Sequence, residues 1–546
     1  MSSQLQQPKD EYDLVVVGSG VGGMATALAA LEAGMSVAML EKDRWIGGGT
    51  ALSHGGLWAG CNHIARKAGI PDSREAVIEY MRFVAGGEAD NELLMAYVDS
   101  APVALEHFDR YGVGIRLLPG FPDHYFPVAP GSTEVGRSLE SVPVSLRDLG
   151  ELGDRIRDSE IDPHRASVSE FISWGGIVNR KNRDHALVAK REQGKVRTCG
   201  AALIAHFLKG LLRHNTTPFL ETAAEELLER NGAITGILTN TGRQVKGRYG
   251  VVLAAGGYEG DAEMTRSFEG LPGWHSPFPK AIAGDAFRLA TEVGAASAFT
   301  RNNLAVMVGV PVPSKVKGHE PEFRLVQIFE CQMPHTIIVN AQGKRFSDEA
   351  YFQDTIAALR HYDVWKREYP NLPCYMLFDS QYVENFAFCG NDIGTPPPEW
   401  VTQADTLDEL AGLLGISKSG LLATVAEFNS NARDGVDRAF HRGEKKWTQA
   451  KSQEIRGIGT PNPALGPLDK APYFGVQLFP AAFVPSGGIR TNSNGQVLSI
   501  RGKPIPNLFA IGNSAAHLEY GIGYQAGYSL TAAMTFAYRC VEHLKH

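Results

Sequence analysis

Three glycines near the start of the chain have the spacing of a dinucleotide-binding turn. Gly18, Gly20 and Gly23 form a G-x-G-x-x-G pattern, and Glu41 follows further along the chain. In such a pattern Gly18 allows a tight turn, Gly20 lets the backbone approach a pyrophosphate, and Gly23 lets a helix pack closely on a strand. A carboxylate at Glu41 accepts hydrogen bonds from ribose hydroxyls. The predicted chemistry is binding of a dinucleotide whose pyrophosphate lies at a helix N-terminus.

The elements around these glycines have the order that such a site requires. Residues 12–17 (YDLVVV) are an apolar, β-branched run typical of a buried parallel strand. An Ala- and Leu-rich segment follows the glycines and ends at Gly34, which predicts a helix. Residues 36–40 (SVAML) predict a second strand that ends directly before Glu41. The whole is a βαβ unit, so the glycine pattern has the structural context that a chance match lacks.

Further glycine-rich segments favour FAD over NAD as the dinucleotide. Residues 47–51 (GGGTA) and 53–56 (SHGG) follow soon after Glu41, where a nicotinamide dehydrogenase would continue with more βαβ repeats. Two later apolar runs end in glycine, at 251–257 (VVLAAGG) and 505–513 (IPNLFAIGN), and Asn513 has an amide that can reach a ribityl chain. We therefore predict an FAD that both ends of the chain hold.

The middle third of the chain has a different character. From about residue 280 to 471 it carries short predicted strands, a proline-rich loop at 395–399 and helices after Thr406. The predicted fold class is α/β, with a Rossmann-type FAD-binding domain made of two chain segments and an inserted α+β cap or catalytic domain. The predicted boundaries are 1–279 and 472–546 for the two FAD-binding segments and 280–471 for the cap.

Composition excludes several other functions. With 53 Lys+Arg and 60 Asp+Glu the net charge is −7, so we expect no nucleic-acid partner. None of the six cysteines forms a C-x-x-C pair, so no metal site is expected. The first ten residues lack the apolar core of a secretory signal, and no apolar run reaches 18 residues. We expect a cytoplasmic protein without an integral membrane segment.

Several segments resemble one family of flavoproteins. The chain resembles the fumarate reductase and succinate dehydrogenase group and, within it, the 3-ketosteroid Δ1-dehydrogenases. The segments that carry the resemblance are 47–62 (GGGTALSHGGLWAGCN), 120–140 (GFPDHYFPVAPGSTEVGRSLE), 343–354 (GKRFSDEAYFQD), 435–443 (GVDRAFHRG) and 504–538, which contains PIPNLFAIGN and GYQAGYSLTAAMTFAY. The resemblance implies noncovalent FAD and 1,2-desaturation of a ring ketone.

The resemblance also implies roles for particular residues. Tyr524 corresponds to the tyrosine that binds the substrate carbonyl, and Gly527 or Tyr528 would add a backbone N–H. Tyr351 corresponds to the base that removes the α-proton, and Tyr125 to its assisting partner. The neighbouring His124 is an alternative to Tyr125. The implied partners are a small hydrophobic ketone and an unidentified electron acceptor.

The complete set of predicted FAD-binding residues combines these motifs. It consists of Gly18, Gly20, Gly23, Glu41, Lys42, Gly49, Thr50, Ser53, Gly55, Gly56, Ala224, Ala255, Gly256, Gly257, Asn513, Ser529 and Leu530.

The chain departs from the family pattern in ways that leave alternatives open. His54 stands where the pattern has Gly, which raises the question of a covalent flavin, and Gly60 stands where it has Pro. Tyr351 lies two residues after Glu349, a spacing closer to the Δ4-desaturating relatives, so the oxidised ring bond is open. An alternative function is fumarate-reductase-like reduction of an unsaturated acid or enone, although 347–359 contains no arginine for a donor. A noncatalytic electron carrier would not require so long an inserted cap.

Overall fold

The computed structural model describes residues 8–159, 165–301, 303–314, 321–452 and 462–546. The α-helices in these ranges are Val21–Glu32, Gly48–Leu52, His63–Lys67, Arg74–Val84, Asn91–Arg110, Val168–Ser173, His185–Gln193, Cys199–Arg213, Ala262–Phe268, Asp285–Glu292, Phe352–Leu359, Ser380–Asn385, Leu407–Leu414, Lys418–Asp434, Lys446–Ser452 and Tyr528–Leu544. Short 3₁₀ segments are Arg147–Arg155, Val326–Ile328, Glu330–Gln332, Gly512–Ser514 and Leu518–Tyr520.

A five-stranded sheet joins the two ends of the chain. Its order is Gln496–Leu498, Pro504–Ala510, Val251–Leu253, Leu14–Val17 and Val37–Leu40, and all neighbours except the first pair are parallel. The last four strands end together in register at Ala510, Leu253, Val17 and Leu40. Ligands of α/β proteins bind at the carboxyl edge of such a sheet. The predicted fold class, with an FAD-binding unit made of two chain segments, is confirmed.

The three strands Leu14–Val17, Val37–Leu40 and Val251–Leu253 are apolar and buried throughout. Leu14–Val17 and Val37–Leu40 are buried at every residue. Helix Val21–Glu32 packs on one face and contacts both Tyr528–Leu544 and Cys199–Arg213. A parallel strand that is buried on both faces needs apolar side chains at every position. This is why residues 14–17 are a continuous apolar run and do not alternate between apolar and polar residues.

The middle of the chain builds a second, antiparallel sheet. Its strands are Glu322–Arg324, Val306–Val312, Tyr473–Ala482, Cys374–Asp379 and Thr336–Asn340, in that spatial order, with Thr402–Ala404 also pairing with Tyr473–Ala482. Helices Leu407–Leu414 and Lys418–Asp434 pack beside it, and Thr406 caps the first by accepting a hydrogen bond from Glu409 N–H at 3.1 Å.

One strand bears on the extent of the inserted segment. Tyr473–Ala482 follows the predicted boundary at residue 471, yet it lies inside the antiparallel sheet and pairs along its length with Cys374–Asp379 and Val306–Val312. We propose that the inserted segment extends beyond residue 482.

Smaller sheets complete the fold. They consist of Glu11–Tyr12, Gln244–Gly247, Ala233–Thr239 and Ala224–Arg230; of Gly56–Trp58, Ser138–Ser141 and Ile115–Leu117; of Ser297–Phe299 with Gly487–Ile489; and of Val144–Ser145 with Val196–Arg197.

Candidate functional site

A large cavity of about 1290 Å³ lies at the carboxyl edge of the parallel sheet and extends toward the antiparallel sheet. Every residue predicted to bind FAD lines it except Gly23. Tyr524 and Gly527, predicted to bind the substrate carbonyl, line it as well. The fold therefore brings together segments that lie near residues 18, 50, 256, 513 and 529 of the sequence.

The glycine turn has the close contacts that its sequence predicts. Gly18 has φ +106°, and a Cβ there would lie 2.4 Å from the carbonyl oxygen of Ala254. A Cβ on Gly23 would lie 1.9 Å from the Gly18 oxygen, so Gly23 lets the helix approach the strand and does not face the cavity. At Gly20 the nearest atom to a Cβ would be Thr50 Oγ1, at 3.7 Å. This side of Gly20 is open toward the cavity, as a bound pyrophosphate requires.

Two helices begin at the cavity directly after a glycine, and at the first of them Val21 N–H donates a hydrogen bond to Thr50 Oγ1 at 3.1 Å. Val21–Glu32 follows Gly20, and Tyr528–Leu544 follows Gly527, and neither preceding residue caps its helix with a side chain. Helix N-termini carry unpaired N–H groups and a partial positive charge, which favour anionic or electron-rich ligand groups. A cavity with two helix N-termini in its wall suits FAD, because FAD has a pyrophosphate in its middle and a flavin with carbonyl oxygens at one end.

Glu41 holds the glycine turn and also lines the cavity. Its Oε2 accepts hydrogen bonds from Ser19 N–H at 3.0 Å and Ser19 Oγ at 2.6 Å, and its Oε1 accepts from Asp43 N–H at 2.9 Å. Burial raises the pKa of Glu41, and these hydrogen bonds act in the opposite direction. The predicted ribose ligand therefore has a second task, since it fixes the loop in front of the first helix.

We expect Glu41→Ala to weaken FAD binding by about 10- to 100-fold. Hydrogen bonds to a charged group contribute about 1.5–3 kcal/mol, which corresponds to that range in the dissociation constant. The measurement is titration of the apoprotein with FAD. Glu229→Ala, an exposed carboxylate on strand Ala224–Arg230, is the control and should leave the constant unchanged. Equal constants for both variants would remove Glu41 from the cofactor site.

Tyr524 is the residue at the other end of the cavity that can polarise a carbonyl group. Its side chain is buried among the rings of Phe483, Phe352 and His124, with centroids 5.6–5.8 Å away. Its hydroxyl makes no hydrogen bond with any residue in the described ranges. Burial raises the pKa of Tyr524, so the hydroxyl keeps its proton at neutral pH and is a donor.

The neighbouring residues hold Tyr524 in place. Gln525 is fully buried, and its Oε1 accepts hydrogen bonds from the Tyr80 hydroxyl at 2.5 Å and from His124 N–H at 2.9 Å. Gly527 has φ +87°, and a Cβ there would lie 2.5 Å from the backbone carbon of Leu57. Glycine is therefore required where the chain turns into the last helix.

Tyr125 and Tyr351 lie together, one layer behind the cavity. Their ring centroids are 6.2 Å apart, and neither ring is among the residues that line the cavity. The Tyr351 hydroxyl lies 3.5 Å from the carbonyl oxygen of His124, the outer limit of a hydrogen bond. Burial raises the pKa of both tyrosines. Their predicted roles in proton removal stay predictions.

A lysine that the sequence analysis missed lies beside Tyr351. Lys445 Nζ is 4.7 Å from the centre of the Tyr351 ring and forms ion pairs with Asp348 at 2.9 Å and Asp354 at 2.8 Å. Burial and the charges of Asp354 and Asp348 raise the pKa of Tyr351, so the ion-paired lysine does not offset the cost of forming a tyrosinate there.

Three further polar residues of the cavity wall have no motif that would single them out. Glu259 follows the glycine pair at 256–257 by two residues, Arg324 ends strand Glu322–Arg324, and Gln332 ends the 3₁₀ segment Glu330–Gln332. Their significance comes from burial inside a cavity, and no local sequence pattern encodes that.

Two negative findings apply to the residues that the structure describes. No group of three or more His, Cys, Asp or Glu side chains in those ranges is arranged to hold a metal ion. Among the described helices, none combines the length and the apolar character needed to cross a membrane.

The chain belongs to a family of FAD-binding proteins. The family model described as "FAD binding domain" matches residues 13–530. The predicted FAD cofactor is thereby confirmed, and the cavity described above is where the residues of this chain fit it.

Similar proteins define a branch within this class. A 4-oxocyclohexanecarboxylate 2-dehydrogenase from Sinomonas cyclohexanicum is 35% identical over 97% of this chain and 92% of its own length. A 3-oxosteroid 1-dehydrogenase from Mycobacterium tuberculosis is 31% identical over 98% of both chains. A solved 3-ketosteroid Δ1-dehydrogenase from Sterolibacterium denitrificans, in complex with 1,4-androstadiene-3,17-dione, has a TM-score of 0.86 at 27% identity and covers 98% of this chain and 99% of its own. The family resemblance predicted from the motifs is confirmed.

Proposed function

We propose that this protein is an FAD-dependent dehydrogenase that oxidises the carbon–carbon bond next to a ring ketone. The observation that carries this proposal is a buried tyrosine donor, Tyr524, at one end of a cavity whose other end is built for FAD. The relatives named for oxidation of oxocyclohexane and 3-oxosteroid substrates support it over the whole chain length. The fumarate-reductase-like alternative has no comparable support.

The chain's own residues account for activation of the ketone. The Tyr524 hydroxyl donates a hydrogen bond to the carbonyl oxygen, with a backbone N–H from Gly527 or Tyr528 as the second donor. Both donors act in a buried site, where they stabilise the negative charge that develops on oxygen as the α-carbon loses its proton. Burial raises the pKa of Tyr524, so this hydroxyl keeps its proton and is available as a hydrogen-bond donor.

The α-proton then needs an acceptor. Tyr351 is the proposed one, and because its ring lies one layer behind the cavity wall, the proton would reach it through an intervening group or water. Lys445 lies against its ring, and the Tyr125 ring contacts it edge-on with the centroids 6.2 Å apart. His124, which packs directly on Tyr524, is the alternative acceptor or relay. FAD, when bound by the residues of the glycine-rich segments, would supply the acceptor for the hydride that leaves the β-carbon. The ketone thus loses one proton and one hydride, and the two electrons leave through an electron acceptor that stays unidentified.

The cavity wall favours a substrate with a second polar group. Gln332 is buried, and neither its Oε1 nor its Nε2 has a hydrogen-bond partner in the described part of the chain. Arg324 lines the same cavity with its guanidinium 4.8 Å over the Phe329 ring, and its Nε lies 3.0 Å from Glu330 Oε1. A buried amide without partners is costly unless a ligand satisfies it.

These two residues lie on the segment that also forms the ketone end of the cavity. Leu325, next to Arg324, packs in the same apolar cluster as Tyr524. An amide N–H and a guanidinium are the donors that a carboxylate prefers. The substrate we propose is therefore a single-ring keto acid of the 4-oxocyclohexanecarboxylate type, with its carboxylate toward Gln332 and its carbonyl toward Tyr524.

Anaerobic bleaching of the flavin tests this function. We expect 4-oxocyclohexanecarboxylate to reduce the bound flavin, and a 3-oxosteroid to do so more slowly. Gln332→Met should raise the dissociation constant of the keto acid by about 10- to 100-fold, because it removes a hydrogen bond to a charged group.

Cyclohexanone, which has no carboxylate, is the matched control substrate, and Gln332→Met should leave its reduction rate unchanged. If only 3-oxosteroids bleached the flavin, the proposed oxidation of a ring ketone would stand, but the assignment of a single-ring keto acid as the substrate would be wrong. No bleaching by any ketone, together with reoxidation of the reduced flavin by fumarate, would overturn the function itself.

A further inference from the structure

Glu259 is a buried carboxyl group in the cavity wall that receives no well-formed hydrogen bond from the described part of the chain. Its side chain is 4% exposed, and neither Oε1 nor Oε2 has a hydrogen-bond partner among the described residues. Its Oε2 lies only 2.6 Å from where a Cβ on Gly257 would be, so the carboxyl group occupies the space beside the glycine pair. Gly257 and Asn513, both predicted FAD-binding residues, line the cavity next to it.

A neighbouring carboxyl group shows how such a side chain is normally satisfied. Glu269 is also buried, yet it accepts hydrogen bonds from Ser486 N–H at 2.9 Å, Ser486 Oγ at 2.5 Å and the Tyr258 hydroxyl at 2.8 Å. Near Glu259 the donors are only its own backbone N–H and the side chain of Asn513, neither in good hydrogen-bond geometry, and no cation within the described ranges forms an ion pair with it. A buried carboxylate without donors or a cation is costly, and the neutral acid is the form that such a site stabilises.

The surroundings of Glu259 act together to keep it neutral. Burial raises the pKa of Glu259 to about 8, and the negative charge of Glu269 acts in the same direction. The side chain of Asn513 lowers this pKa by a smaller amount, and its own amide is engaged with Phe483 O and with His517. Tyr258, on the chain between Gly257 and Glu259, is turned toward Glu269.

We propose that Glu259 is a cofactor ligand that works as a neutral carboxylic acid and donates its proton in a hydrogen bond to an oxygen atom of bound FAD. The geometry supports this because the group faces a cavity that must receive a polyanionic cofactor. A protonated carboxyl can donate a hydrogen bond to an oxygen acceptor, whereas a carboxylate would repel the pyrophosphate charge. The second carboxyl oxygen then accepts a hydrogen bond from a cofactor hydroxyl or from water.

If Glu259 has this role, the affinity for FAD should decrease as the pH rises. If the bound cofactor requires the neutral acid, binding raises the pKa of Glu259 further, and affinity is complete at pH values below the pKa of the free site. Affinity then falls as the pH rises through about 8. Between pH 7 and pH 9 the dissociation constant should rise about tenfold.

The test is titration of apoprotein with FAD, followed by flavin fluorescence at several pH values from 6.5 to 9. Three proteins are compared: the wild type, Glu259→Gln and Glu259→Leu. Glutamine has the same shape and keeps an N–H donor at every pH, so its dissociation constant should stay within about twofold of the wild-type value at pH 7 and stay flat to pH 9. Leucine removes the donor, so its constant should be raised at every pH and should not change with pH.

The glutamine variant distinguishes Glu259 from every other titrating group of the protein and the cofactor. A glutamine variant that loses FAD with the same pH profile as the wild type would overturn the proposal. A wild-type affinity that increases above pH 8 would also overturn it, because it would mean that the carboxylate is the binding form. Circular dichroism of each apoprotein over the same pH range separates loss of cofactor from loss of fold, and the outcome does not depend on which ketone the enzyme oxidises.

Discussion

Replacing Tyr524 by Phe is expected to slow reduction of the flavin by a ketone substrate by a factor of about 10² to 10³. The substitution keeps the ring, and with it the contacts to Phe483, Phe352 and His124, but removes the hydroxyl that faces the cavity. Loss of one donor to a developing oxyanion typically has an effect of this size. FAD should stay bound, and the substrate dissociation constant should change much less, because the ground-state carbonyl has little of the charge that develops later.

Stopped-flow reduction under anaerobic conditions measures this effect directly. Tyr520→Phe is the matched control, since Tyr520 is also buried and its hydroxyl has no partner among the described residues, but it does not line the large cavity. In the Tyr520→Phe variant the ketone substrate should reduce the flavin at the wild-type rate. Equal rates for wild type and Tyr524→Phe would exclude Tyr524 as the carbonyl donor.

The largest expected effect on stability comes from a buried ion network in the inserted segment. Glu349 is fully buried, and its carboxylate contacts Arg345 at 2.5 and 2.7 Å and Arg442 at 3.3 Å. Arg345 also pairs with Asp437 at 2.8 Å. Glu349→Gln leaves two buried guanidinium groups with only one carboxylate, and breaking a buried pair in this way costs about 3–5 kcal/mol. We expect the free energy of unfolding to fall by that amount.

Denaturant unfolding with and without FAD measures the loss. The control is Asp434→Asn, which removes the exposed pair between Asp434 and Arg438 in the same segment, where the side chains are 54% and 60% exposed. Exposed pairs contribute less than about 1 kcal/mol, so this variant should unfold close to the wild type. Equal stability of the two variants would mean that water or another group compensates Arg345 and Arg442.

Much of the FAD-binding unit was predictable because its signals are local. The βαβ unit begins and ends within a few residues of the prediction, since continuous apolar runs and obligatory glycines define each element without reference to distant parts of the chain. The same holds for residues 251–257 and 505–513, whose strands are each followed closely by glycine at the carboxyl edge of the sheet.

The inserted segment was harder to delimit. Tyr473–Ala482 has an apolar pattern compatible with either sheet, and only its pairing with strands more than 90 residues away in sequence shows that it belongs to the antiparallel one. Register and partner choice between distant strands depend on which side chains face each other across the sheet, and a single strand does not encode that.

The predicted site residues divide in the same way, into those that local motifs indicate and those that only packing reveals. From the sequence alone, residue types, motif spacing and family resemblance determine the class of protein, the FAD cofactor and the candidacy of Tyr524. Only the tertiary packing places Tyr524 in the cavity wall and Tyr125 and Tyr351 behind it. It also places Lys445 against the ring of Tyr351. Glu259 and Gln332 are buried without hydrogen-bond partners in the described part of the chain for the same reason. The physical reason is that burial and the neighbours of a polar group arise from contacts between distant segments, and those contacts set its pKa and its availability to a ligand.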